Sequence, residues 1–108
     1  MTTTPTQPTP LNPARHKGTF FKILATTPHS QVGTMTIEPG SDSGPEDIHP
    51  GDQIIYIIEG TARVVINGKT TTATQGTVLA IPAQAQHHIY NDETSELFFL
   101  TIYAPPAY

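Results

Sequence analysis

Gly76-Thr77-Val78-Leu79-Ala80-Ile81-Pro82-Ala83-Gln84-Ala85-Gln86-His87-His88-Ile89-Tyr90-Asn91 is the stretch whose reading decides the fold. A turn glycine leads into a short apolar run. Pro82 stands six positions after Gly76, His87 five after Pro82, and Asn91 four after His87. A histidine placed just after a short buried strand and a proline turn can point into the interior of a β-barrel, where it is a candidate metal ligand. A second cluster lies upstream, in Asp47-Ile48-His49 and Gln53. The expectation is a site built from two separated segments.

Working outward, the chain from Thr19 reads as β-structure, because no window of a dozen residues carries a helical stripe. Short runs rich in β-branched and aromatic residues recur between Gly, Pro, Asn and Asp. They predict strands over Thr19–Leu24, Val32–Glu38, Gln53–Glu59, Ala62–Asn67, Lys69–Thr74, Val78–Ile81, His87–Asn91 and Leu97–Tyr103. Asn67-Gly68 is a type I′ hairpin signal, since both turn residues need positive φ. Glu59-Gly60 and Gln75-Gly76 are weaker turns. Short strands joined by tight turns predict an all-β sandwich, jelly roll or barrel.

Two runs, Ile54-Ile55-Tyr56-Ile57-Ile58 and Leu97-Phe98-Phe99-Leu100, are apolar at every position. A half-solvated antiparallel strand alternates instead, so both faces of these strands are expected to be covered. One cover is the barrel interior. The other is a second sheet or a second subunit, which predicts a homodimer.

The 108 residues suit one domain. Residues 1–18 are expected to form a flexible Pro/Thr-rich N-terminal tail, and 19–108 the barrel domain. Met1 to Pro13 hold four prolines and five threonines, with Leu11 as the one aliphatic residue after Met1. A formal charge of −4 with only five Lys and Arg argues against a nucleic-acid partner, which demands a basic patch. Without cysteine there is neither a disulfide nor thiolate-bound zinc, so metal ligands must come from His, Asp, Glu or Gln. No apolar run nears the ~18 residues of a membrane span. The N-terminus also lacks the pattern of a signal peptide, so a cytoplasmic location is expected.

Taken together, the spacings resemble the two motifs of small single-domain cupins. The family's first motif, His-x-His, three or four residues, Glu, six residues, Gly, stands here as Asp47-x-His49, three residues, Gln53, six residues, Gly60. Its second motif, Gly, five residues, Pro-x-Gly, two residues, His, three residues, Asn, stands as Gly76, five residues, Pro82-x-Gln84, two residues, His87, three residues, Asn91. Fifteen residues separate the motifs, and the resemblance runs from about Thr19 to Pro106. His49, Asp52-Gln53 and the ending Leu100 to Pro106 are similar to a branch with an acidic residue in place of the first histidine and Gln in place of Glu.

The resemblance implies a single-domain cupin jelly-roll β-barrel with Asp47, His49, Gln53 and His87 around a divalent transition metal: Fe, Mn, Ni or Zn. Two histidines and a carboxylate are also the inventory of ferrous sites that keep positions open for substrate and oxygen. Gln84 departs from the motif's glycine. Glu46 rivals Asp47 if the strand register slips by one. His87 and His88 point to opposite faces, and motif spacing selects His87. The bland readings are polar residues satisfied near a barrel mouth for the histidines, a solvated charge for Asp47, and an internal hydrogen bond for Gln53. Tyr56, Tyr90, Phe98 and Phe99 read as core, while His16, His29 and His88 read as surface or supporting residues. Asn91 is expected to bond turn backbone.

The expected function is that of a metal-dependent enzyme, dioxygenase-like or an isomerase or cyclase, acting on a small organic molecule in the barrel. A non-catalytic binding or sensing module is the alternative. No general base outside the metal set stands out, although Glu59 and Tyr56 lie near the first motif.

Overall fold

The structure, a computed structural model, describes residues 9–108. Eight strands follow a short 3-10 turn at Pro13–His16: β1 Phe21–Thr26, β2 Gln31–Ile37, β3 Asp52–Glu59, β4 Thr61–Ile66, β5 Lys69–Thr74, β6 Val78–Ile81, β7 His87–Tyr90 and β8 Leu97–Ala104. Each of the eight expected strands is present, with its ends moved by at most two residues. The strands form two antiparallel sheets, β1-β2-β8-β3-β6 and β5-β4-β7, which face each other as a jelly-roll barrel.

Period-two alternation fills the space between the sheets. Ile37, Ile55, Ile57, Leu97 and Phe99 of the larger sheet meet Ala62, Val64, Ala73 and Ile89 of the smaller. The β4–β5 hairpin turns at Asn67 and Gly68, with φ of 50° and 80°, as the type I′ reading requires. Between β3 and β4, Gly60 sits at φ 90°, and a Cβ there would come within 2.8 Å of the Glu96 carbonyl. Sterics and the left-handed backbone therefore both select glycine.

Register places the functional end of the barrel. Along one row Gln31, Tyr103 and Gln53 stand opposite one another on β2, β8 and β3, with Ile81 of β6 beside them. Gln31, Gln53 and Tyr103 are all buried, so this row makes one end of the barrel interior polar.

Among the described residues no second sheet covers the outer faces of β3 and β8. Tyr56 is 42% and Val78 64% exposed, and Ile54, Leu100 and Ile102 are half-buried beside them. Tyr56 is thus not a core residue: its position in β3 turns it outward, opposite Leu100 and Val78. Phe98 and Phe99 are buried as expected.

Residues 1–8 of the expected N-terminal tail lie outside the described residues. Further on, Asn12 caps the 3-10 turn through a 3.0 Å bond from the Ala14 N–H. The Gly18 N–H donates to Thr36 Oγ1 at 2.9 Å, and Lys17 pairs with Glu59. None of the helical segments in the described residues is long and apolar enough to cross a membrane.

Candidate functional site

The polar end of the barrel opens into a cavity of about 50 Å³, lined in part by Asp47, His49, Gln53, His87, Tyr103 and Tyr108. All four residues singled out from the motifs therefore reach one space. The segment carrying Asp47 and His49 is not a strand: Asp47 makes only an isolated bridge to His87, with reciprocal N–H···O bonds of 3.0 and 2.9 Å. That bridge ties the first motif to the second. A further tie is the Gln84 N–H, which donates to the His49 carbonyl at 2.8 Å. Gln84 takes φ 67°, the left-handed conformation that the family's glycine adopts easily, so the substitution keeps the turn and accepts its strain.

His87 starts β7 on its inward face and is buried, whereas His88 faces outward. The outward ring stacks on Tyr90 at 4.2 Å and brings Nε2 within 3.3 Å of Asp42 Oδ1. His87 Nδ1 lies 3.1 Å from the Ala85 carbonyl. A carbonyl can only accept, so Nδ1 carries the proton and Nε2 keeps its lone pair. The His49 ring lies 5.2 Å from that of His87. Burial lowers the His49 pKa and neighbouring His87 lowers it further, with Asp47 opposing, so its imidazole favours the neutral, ligating form.

Gln53 is buried, and its Nε2 donates to Thr101 Oγ1 at 3.1 Å. Its Oε1 is buried without a hydrogen-bond partner. A buried carbonyl in that condition costs about 1–3 kcal/mol, and it suits an oxygen ligand. The Asp47 carboxylate accepts from the Ile48 N–H at 2.8 Å through Oδ1, while Oδ2 lies 3.5 Å from both His49 Nε2 and the Tyr108 hydroxyl. Among the described residues no three His, Cys, Asp or Glu side chains converge closely enough to hold a metal. Asp47 is half exposed and turned toward the mouth. Glu46 accepts from Gln86 Nε2 and does not line the cavity.

Sequence reasoning missed Gln31, Thr101, Tyr103 and Tyr108. A polar residue at an inward position of an apolar strand was the available signal for Thr101 and Tyr103. The Tyr103 hydroxyl is held well above the ordinary phenol range by burial, so it stays protonated. Burial and then the Asp47 charge raise Tyr108 as well. The two residues considered as bases lie elsewhere: Glu59 pairs with Lys17 outside the barrel, and Tyr56 is on the outer face. Asn91 behaves as expected. Its Nδ2 donates to the Ile37 and Ser95 carbonyls, both at 2.9 Å, and its Oδ1 accepts from the Glu93 N–H at 3.0 Å.

An eight-stranded jelly roll with a cavity of imidazole, amide and carboxylate at one end defines a small cavity-bearing barrel. The chain belongs to the cupin family, matching the Cupin domain over residues 33–103. It is similar to an uncharacterized protein of Acanthamoeba polyphaga mimivirus, 37% identical over 92 residues, which cover 80% of this chain and 56% of that protein. It thus spans little more than half that relative's length. A crystal structure from Bacillus halodurans superposes with a TM-score of 0.86 at 28% identity, covering 95% of this chain and 85% of that one. KdgF from Halomonas shares the fold, with a TM-score of 0.72 at 23% identity over 80% of this chain and 77% of its own.

Proposed function

We propose that this cupin is a metal-dependent enzyme acting on a small organic molecule at the polar end of its barrel. The observation that carries the reading is Gln53 Oε1, buried and unpartnered among the described residues, beside the His49 imidazole that burial favours in its neutral form and the His87 ring whose Nδ1 faces the Ala85 carbonyl. His49, His87 and Gln53 would hold the ion, and Asp47 would complete the set by turning from the mouth. In chemistry this donor set fits a divalent Fe, Mn, Ni or Zn ion. Such an ion supplies a Lewis acid or an oxygen-binding centre. The chain's own contribution is orientation. The Ala85 carbonyl fixes the His87 ring, Thr101 fixes the Gln53 amide, and Tyr103 offers a protonated hydroxyl at the wall.

Calorimetric titration with these four ions tests the reading. His87→Ala is expected to abolish binding and His88→Ala to spare it. Equal loss in both, or no binding by the intact protein, overturns it. An oxygen-uptake assay with ferrous ion over phenols, diketones and keto acids then separates a dioxygenase from an isomerase or cyclase.

One observation favours a binding module without turnover: among the described residues Asp47 is the single Asp or Glu lining the cavity. Ligand stabilisation in thermal melts with no product formed would support that reading.

The outer face of the larger sheet supports a homodimer. Ile54, Tyr56, Val78, Ala80, Leu100 and Ile102 form adjacent cross-strand pairs there, with no charged residue among them. A second copy of the chain offers the same self-complementary surface. Light scattering is expected to give a dimer mass, and Val78→Lys a monomer; a monomeric intact protein would exclude the arrangement.

A further inference from the structure

The last residues of the described chain lie across the mouth of its cavity, with Tyr108 itself 61% exposed. Gln31, buried at the start of β2, accepts on Oε1 from the N–H groups of Ala107 and Tyr108, at 3.1 and 3.0 Å. Its Nε2 donates to the Tyr108 carbonyl at 2.8 Å. One amide therefore holds residues 107 and 108 as a strap. The strap sets the Tyr108 ring edge-on to Phe21, Tyr103 and His49, with centroids 5.0, 5.2 and 5.7 Å away and planes inclined at 61°, 70° and 72°. At the end of that ring the hydroxyl faces Asp47 Oδ2 at 3.5 Å.

The free space left beside Tyr108 is about 50 Å³. Sites for drug-sized organic ligands run to about 300–1,000 Å³. An organic ligand thus has no room next to Tyr108 and must take its place. We propose that Phe21, His49, Tyr103 and Asp47 form a binding site for a phenolic ring, which Tyr108 fills as an intramolecular stand-in. Edge-to-face packing favours a flat ring with a polarised edge over an aliphatic group of equal bulk. The carboxylate accepts a hydrogen bond and so selects a hydroxylated ring over a bare one. Tyr108 competes from an effective concentration on the order of millimolar, which sets the threshold a free phenol must exceed. The inference deepens the small-molecule reading of this cavity and does not require the metal.

The test uses the full chain in chelator, with p-cresol, the tyrosine side chain itself, as the probe. Tyr108→Ala is expected to bind p-cresol about ten-fold or more tightly than the intact protein does, and to melt higher in its presence. Toluene and cyclohexanol are expected to bind Tyr108→Ala much more weakly than p-cresol, and adding Asp47→Ala, which removes the acceptor, to erase the preference for p-cresol over toluene. Equal affinity of the intact protein and Tyr108→Ala for p-cresol, or equal affinity for p-cresol and toluene, overturns the proposal. Should Tyr108→Ala fold poorly, the intact protein decides. Millimolar p-cresol must remove the proton–proton contacts between the Tyr108 and Phe21 rings in NMR spectra, and their persistence at saturation overturns the proposal. Metal titration of the same proteins keeps the two readings apart, since loss of phenol binding with metal binding intact refutes only the phenolic site.

Discussion

Replacing Gln53 by Leu separates the stability of the barrel from its use. Gln53 is buried on β3, bonded through Nε2 to Thr101 and unpartnered at Oε1. Leucine is similar in bulk and keeps the strand's inward packing. The substitution removes an orphaned carbonyl costing about 1–3 kcal/mol, but it loses one neutral hydrogen bond and strands the buried Thr101 hydroxyl, together of similar size. In chelator the variant is therefore expected to match the parent's stability within about 1 kcal/mol. Metal affinity falls all the same, because an oxygen donor has gone. Urea unfolding in chelator followed by zinc titration reads both quantities. A variant that loses about 3 kcal/mol or more in chelator would show that the amide oxygen is satisfied in solution, and the case for it as a ligand would fall. A buried polar group that adds little to stability is characteristic of sites that break a local rule.

Asn91→Ala removes three hydrogen bonds at a fully buried position and strands two carbonyls and an N–H, so a loss of about 3 kcal/mol is expected in urea unfolding. A loss under 1 kcal/mol would mean that the turn re-forms without it. Burial raises the Tyr103 pKa, so the folded state keeps a proton that the unfolded chain releases near pH ~10. Its contribution to stability is accordingly complete below pH ~10 and lost as pH rises above that value. Unfolding series from pH 9 to 11 should show the loss, and Tyr103→Phe should lessen it; identical profiles would exclude Tyr103 as the source. At Gln84, glycine relieves a left-handed residue at the cost of a looser unfolded chain, for a net gain of about 0.5 kcal/mol, whereas valine costs about 1 kcal/mol or more. Thermal melts of the two variants rank them, and a valine variant as stable as the parent would refute the strain.

Much of the architecture was legible. Alternation, β-branching and turn residues located the strands, because each of those signals acts within a few residues of chain. Asn67-Gly68 fixed the tightest hairpin for the same local reason. Spacing also joined His87 to His49 and Gln53. The outer face was not a local matter: the run Ile54 to Ile58 is continuous in sequence, but what lies against its outer side depends on a neighbour. Tyr56 shows the outcome, exposed within an otherwise apolar strand.

By itself the sequence determined an all-β fold and its strands, which rest on periodicity and turn residues and survive without knowledge of the rest of the chain. The jelly roll, the two motif segments and the inward choice of His87 over His88 came from the resemblance to the cupin motifs, since alternation alone does not choose between adjacent histidines. Only the tertiary structure decided that Gln31, Gln53 and Tyr103 share one cross-strand row, that the Gln53 carbonyl is stranded, and that Tyr108 lies at the mouth beside Asp47. Gln31 and Tyr108 are 77 positions apart and Asp47 and Tyr108 are 61 apart. Contacts at such separations follow from the register of paired strands, and no local pattern in the chain encodes them.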